Sequence, residues 1–204
     1  MIARAKRFVP RSVVAALRDC AGLSPRSALT YLRLRIARSV GARADEVRAN
    51  KTSSVLFVCH GNIMRSPFAE HLARARLDGN PRRFVIRSAG TDARADRAAD
   101  PRALAVAPRY GISLETHRAQ PLSPELIDGS DLICVMDHRN EAEVIARYPR
   151  AASKTILLGG IEGGQDQPTA IPDPYMMEGE DVIRVYYRLS SAVEALVGRL
   201  GARV

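Results

Sequence analysis

Cys59 closes an apolar run, Val55-Leu56-Phe57-Val58-Cys59, and is followed by His60-Gly61-Asn62-Ile63-Met64-Arg65-Ser66-Pro67. A thiol is a weak nucleophile until its surroundings stabilise the thiolate. Three such sources stand close in sequence. Gly61 and Asn62 accept positive φ, so the loop can turn its amide N–H groups inward. Ser66 and Pro67 suit a first helical turn, and a helix N-terminus favours an anion. Arg65 offers a planar fork of donors. Together these groups make a cradle for a doubly charged oxyanion held against sulfur. In-line attack by Cys59 on a phosphoryl group there would give a phosphocysteine.

A leaving alkoxide or phenolate also needs a proton, which neither a thiolate nor an arginine supplies. The segment Ile171-Pro172-Asp173-Pro174-Tyr175 holds one carboxylate between two prolines that restrict the backbone. Alone, an Asp-Pro is a turn; beside the cradle, Asp173 is the candidate general acid and then base. Tyr175 would wall the cleft and stack on an aromatic group. Spacing alone is weak evidence, because Cys20 also precedes an Arg-Ser pair, Arg26-Ser27, at the same interval. Cys20 follows a helical stretch instead of a buried strand, and Pro25 removes a donor from its loop, so we reject it. No zinc spacing, Gly-Lys-Ser/Thr loop or GxGxxG motif is present, and the sequence implies neither a metal nor a cofactor.

The elements that position these residues follow from periodicity. Strands are predicted at Val55–Cys59, Phe84–Arg87, Asp131–Met136 and Thr155–Leu158. Between and after them, helices are predicted from Arg65 to Leu77, Pro101 to Tyr110, Leu122 to Ile127, Asp137 (as cap) to Arg147 and Val182 to Leu200, with a loop from Gly159 to Gly179. Such alternation argues an α/β fold, a doubly wound (flavodoxin-like) four-stranded parallel sheet with helices on both faces. Ligands bind beyond the carboxyl ends of strands in such sheets, where Cys59 stands.

Residues 1–51 differ in composition from residues 52–204. They hold 12 Lys/Arg against 3 Asp/Glu, which accounts for the whole net charge of +9, so a boundary is expected near residue 51. Two helices are expected in this N-terminal extension, one from Ser12 to Cys20 and one after Ser24-Pro25 that ends at Gly41. The second would carry Leu29, Leu32, Ile36 and Val40 on one face. It would pack on its own domain, on a partner protein or on an anionic membrane surface. Nothing points to a specific nucleic-acid partner. Three unevenly spaced cysteines, no apolar run of 18 residues and no secretory signal pattern in the first thirty residues lead us to expect a cytoplasmic protein.

Residues 53–200 resemble the low-molecular-weight protein tyrosine phosphatase family. The resemblance rests on Val-Cys-His-Gly-Asn-Ile-Met-Arg-Ser-Pro and the later Asp-Pro-Tyr, with Ser88-Ala89-Gly90-Thr91 and Gly111 to His117 between them. It implies Cys59 as nucleophile, Arg65 as phosphate clamp and Asp173 as acid/base, acting on phosphotyrosine in proteins. His60, Gly61, Asn62, Ile63, Met64, Ser66 and Tyr175 would surround the substrate, with Ser66 donating to the sulfur. Asn62, Ser88 and His117 would hold the loop in shape. Several positions depart from the family. Met64 replaces a cysteine that can form a protective disulfide, His60 replaces an aliphatic residue, and Thr91–Asp100 has no aromatic wall residue. Met176 follows Tyr175 where some relatives have a second aromatic. Ile63 stands where the phosphoarginine branch has a small hydroxylated residue, which favours phosphotyrosine. Two alternatives stay open: an arsenate reductase-like enzyme, which would need Cys134 in a relay, and a non-catalytic phosphate-binding scaffold.

Overall fold

A computed structural model describes residues 19–39, 52–80, 83–161 and 169–201. In chain order the elements are α1 (Pro25–Ser39), β1 (Ser54–Cys59), α2 (Arg65–Leu77), β2 (Val85–Gly90), α3 (Pro101–Val106), α4 (Pro124–Asp128), β3 (Leu132–Val135), α5 (His138–Arg147), β4 (Thr155–Leu157) and α6 (Gly179–Gly201). Short 3-10 turns lie at Ala107–Tyr110, Pro149–Lys154, Leu158–Gly160 and Pro174–Met176. The four strands are parallel in the order β2-β1-β3-β4. β1 is buried on both faces, as its unbroken apolar run requires. Its alternate residues divide the core. Phe57 packs with Phe68 and Leu72 of α2, Ala103 of α3 and Leu189 of α6, whereas Leu56 and Val58 pack with Ile127 of α4 and Val144 of α5. Helices therefore cover both faces, as expected. The order reverses between β1 and β3, so the crevice beyond their carboxyl ends is the switch point.

The structure moves some boundaries. β2 runs past Arg87 to Gly90; Ser88 bonds to Asn62 of the cradle and interrupts the apolar run before the strand ends. The Pro101–Tyr110 helix is α-helical only to Val106 and tightens to a 3-10 turn through Pro108, ended by Gly111 at φ 73°. β4 ends at Leu157, one residue short of the expected Leu158, which opens a 3-10 turn to Gly160; a second turn, Pro174–Met176, lies inside the expected loop, and α6 already begins at its last residue, Gly179. The expected first N-terminal helix before residue 19 lies outside the described residues, as do Val40 and Gly41.

α1 packs on α5, but not through the face its aliphatic residues mark. Ser27 and Tyr31 are buried, with Tyr31 edge-on to His138, and Arg38 pairs with the buried Glu141 at 2.9 Å. Tyr31 also donates to Asp19 at 2.7 Å. Leu29, Leu32 and Ile36 are 50%, 37% and 64% exposed. A tyrosine and an arginine reach further across a helix–helix seam than three aliphatic residues and bring partners with them. The helix therefore rotates its leucines outward.

Candidate active site

The segment after β1 turns sharply: Asn62 takes φ 52°, and α2 begins at Arg65 with no side chain capping its N-terminus. The uncapped amide N–H groups of the first turn stay available to an anion. Asn62 N donates to Cys59 Sγ at 3.3 Å, and Ser66 Oγ lies 3.0 Å from the same sulfur. A thiolate only accepts, so in that state the Ser66 hydroxyl gives its proton to sulfur.

A buried network fixes the strained loop. Asn62 Nδ2 donates to Ser66 Oγ at 2.9 Å and to Ser88 Oγ at 2.8 Å, while its Oδ1 accepts from Gln120 N at 2.9 Å. His117 Nε2 is 2.8 Å from the Asn62 carbonyl, which can only accept, so that nitrogen carries the proton. Ser88 in turn donates to Glu70. Gly90 ends β2 directly behind the loop. A Cβ there would lie 2.5 Å from His60 O and 2.9 Å from Asn62 N, so only glycine allows the approach.

Arg65 is wholly buried and reaches both carboxylates of the site. Its Nη1 donates to Asp137 Oδ2 at 2.7 Å and to the Ile171 carbonyl at 3.0 Å, and its Nη2 meets Asp173 Oδ2 at 2.5 Å. Burial works against its charge, but Asp137, Asp173 and Cys59 together hold the guanidinium above its ordinary range. Asp137 Oδ1 also caps α5 by accepting from Asn140 N at 2.9 Å. Asp173 Oδ1 accepts from Tyr175 N at 3.1 Å, which turns the carboxylate into the cleft.

A second clamp ties this acid-bearing turn to the cradle. Asp100 N donates to Ile63 O at 2.8 Å, and the Asp100 carboxylate takes a fork from Arg102. The remaining arm of Arg102 donates to the carbonyls of Tyr175 and Met177, both at 2.9 Å, with the guanidinium carbon 5.7 Å from the Tyr175 ring centre. Hydrogen bonds from Arg102 hold the Asp100 carboxyl below its usual range.

All these groups converge on one cleft of 630 Å³ lined by Cys59, His60, Gly61, Ile63, Met64, Arg65, Asp173 and Tyr175, together with Asp92, Arg94 and Arg97. Every residue proposed from sequence lies in this cleft or in the network behind it. Sequence reading missed Asp137, Gln120, Glu70 and the Asp100–Arg102 pair. Asp137 had a usable signal: an N-cap directly after β3 must border the switch point. Cys20 lies on the extension and lines no part of the cleft; burial, then Asp19, push its thiol up against the pull of Arg139. Cys134 is wholly buried in mid-sheet, paired with Phe57 and Ile156. Fold geometry also gathers Glu70, His71 and His117, whose ligand atoms lie within 4.8 Å of one another, a grouping that sequence spacing did not reveal. Glu70 already serves Ser88 and Arg74, and His117 serves Asn62, so an ion there would compete with the network holding the loop.

Residues 54–204 match the family model for low molecular weight phosphotyrosine protein phosphatase. The chain is 37% identical over 150 residues to the low molecular weight protein-tyrosine-phosphatase Etp of Escherichia coli K12, covering 74% of this chain and 96% of that protein. It is 38% identical over 152 residues to the probable low molecular weight protein-tyrosine-phosphatase EpsP of Ralstonia solanacearum, covering 73% and 97%. The crystal structure of the Erwinia amylovora tyrosine phosphatase AmsI superposes with a TM-score of 0.66 at 34% identity, over 76% of this chain and 97% of that one. With the parallel sheet and the Cys59 cradle already in place, these matches show that the chain belongs to the low-molecular-weight protein tyrosine phosphatase family.

Proposed function

We propose that the protein hydrolyses phosphotyrosine in protein substrates through a phosphocysteine on Cys59. One observation carries this reading: the Cys59 sulfur, the Arg65 fork and the Asp173 carboxylate line a single cleft although Cys59 and Asp173 lie at opposite ends of the domain. Three phosphoryl oxygens occupy the loop N–H groups and Arg65. Cys59 attacks phosphorus in line, the P–O bond to the tyrosine breaks, and Asp173 passes a proton to the departing phenolate. Arrival of the phosphoryl group draws the Arg65 fork away from Asp173, and the carboxylate, unpaired and now facing the charge of the phosphate, takes up from solvent the proton that it carries to the leaving oxygen. Water then attacks the phosphocysteine, Asp173 takes its proton, and phosphate leaves as the thiolate is restored under the Ser66 hydroxyl. Tyr175 supports the aromatic ring, and Asn62, Ser88 and His117 keep the loop preorganised.

Arsenate reduction is disfavoured, because a relay needs a second thiol at the cleft and Cys134 is sealed in the sheet. Hydrolysis of p-nitrophenyl phosphate tests the reading. Cys59→Ser should lose at least about 10³-fold in kcat; wild type no faster than the variant would refute the phosphatase and favour a scaffold. All three cysteines are free, which suits a reducing compartment, and we place the protein in the cytoplasm. Through residues 1–51 it makes a second contact, with an anionic membrane surface or, as the alternative, a partner protein. The outward Leu29, Leu32 and Ile36 and the basic composition support this contact.

A further inference from the structure

Two guanidinium groups at the cleft mouth have no part in the phosphoryl chemistry. Arg94 and Arg97 line the same 630 Å³ cleft as Cys59 and Arg65, from the loop between β2 and α3. Both are exposed, and among the described residues neither side chain makes a hydrogen bond or ion pair. Their backbone, by contrast, is pinned. Thr91 N and Asp92 N donate to the Cys59 and His60 carbonyls, both at 2.9 Å. Further along, Asp96 N donates to Ala119 O at 2.9 Å and Ala119 N to Arg97 O at 2.8 Å. Asp96 takes φ 63°, the turn that separates the two arginines. The charges therefore project from a base fixed to the cradle itself, which limits the entropy a bound partner must offset.

The chemistry of this wall is also narrow. From Thr91 to Asp100 the only apolar side chains are alanines, so it offers little for a hydrophobic flank to pack on. The loop also carries Asp92, Asp96 and Asp100, the last close enough to feel the charge of Arg97, but of these only Asp92 lines the cleft beside the two arginines, and Asp173, the other acid lining it, is held by Arg65.

We propose that Arg94 and Arg97 form a second anion subsite, which receives an anionic side chain (a carboxylate or a second phosphoryl group) next to the phosphotyrosine of the substrate. The proposal rests on the phosphatase reading and assigns its substrate class: acidic or multiply phosphorylated segments, with basic flanks rejected by like charge.

Phosphotyrosine peptides with Ala, Glu or Lys at each flanking position, and one with a second phosphotyrosine, test it. We expect kcat/KM for the best Glu peptide to exceed that of its Lys counterpart about tenfold at low salt, through KM more than kcat, with the ratio shrinking as salt is raised. The double variant Arg94→Ala/Arg97→Ala should bring the ratio close to one. A larger gain from the second phosphotyrosine than from Glu identifies a phosphoryl partner, and equal gains identify a carboxylate; either supports the subsite. Affinities of the same peptides for Cys59→Ser protein give the same comparison without turnover. Equal affinities for Glu and Lys peptides, or a preference that survives the double variant, would overturn the subsite. Absence of any hydrolysis would instead overturn the phosphatase reading, with the affinity ratio still deciding the subsite.

Discussion

Asp173 and Arg65 are bound to each other before any substrate arrives, at 2.5 Å. In the proposed reaction the carboxylate is thus held on the group that would receive the phosphate, and the substrate would exchange one for the other. This assigns a particular signature to Asp173→Ala. Phenyl phosphate has a poor leaving group and should slow about 10²- to 10⁴-fold, whereas p-nitrophenyl phosphate, whose phenolate leaves with little protonation, should slow far less. Equal losses on both would remove Asp173 from the acid role. Asp137 answers a different need. It keeps one arm of Arg65 engaged from the α5 side at 2.7 Å, so the guanidinium stays in register while its other arm changes partner. Met64, buried at the cleft, leaves Cys59 without a neighbouring thiol on its own loop.

At the scale of elements, the site is a meeting of segments joined by clamps. The Asp100–Arg102 pair connects the cradle, through Ile63 O, with the turn that carries Asp173 and Tyr175. Arg102→Ala should leave the sheet intact and loosen that turn, lowering kcat about tenfold on phenyl phosphate with a smaller effect on p-nitrophenyl phosphate. Losses of similar size on both substrates, measured with the melting temperature unchanged, would contradict a positioning role. These clamps also mark where sequence reading runs out. Cys59 to Ser66 was legible because strand, turn and helix start are contiguous, and each residue type has a local reason to be there. Ser88 and His117 came only through resemblance, since their partners lie far along the chain. Gln120 and Arg102 left no local trace at all; one acts through a backbone amide, the other through three carbonyl contacts from an ordinary-looking first turn. β2 ran longer than its apolar pattern because Ser88 is satisfied by Asn62 and Glu70, and the Gly90 backbone by Gln120 and Leu122, instead of by solvent.

For the whole molecule, the extension is part of the architecture where it is described. α1 is fastened to α5 by Tyr31 and by the Arg38–Glu141 pair, and α5 is capped by Asp137, which holds Arg65. The amphipathic pattern of α1 was legible, but its orientation was not, because one buried tyrosine outweighed three aliphatic residues. With that face turned outward on a basic segment, vesicles containing phosphatidylglycerol should co-sediment the full chain, and purely zwitterionic vesicles should not. Leu29→Asp should reduce the bound fraction severalfold; binding indifferent to lipid charge and to this substitution would point to a partner protein instead. The proposed reaction depends on the fold delivering a phosphoryl group to one sulfur out of three. Acid quenching during turnover, followed by mass spectrometry of the peptides containing Cys20, Cys59 and Cys134, measures this directly. We expect a phosphoryl adduct on Cys59 alone, accumulating further in Asp173→Ala with p-nitrophenyl phosphate. Turnover with no adduct on Cys59, or with an adduct on another residue, would contradict it.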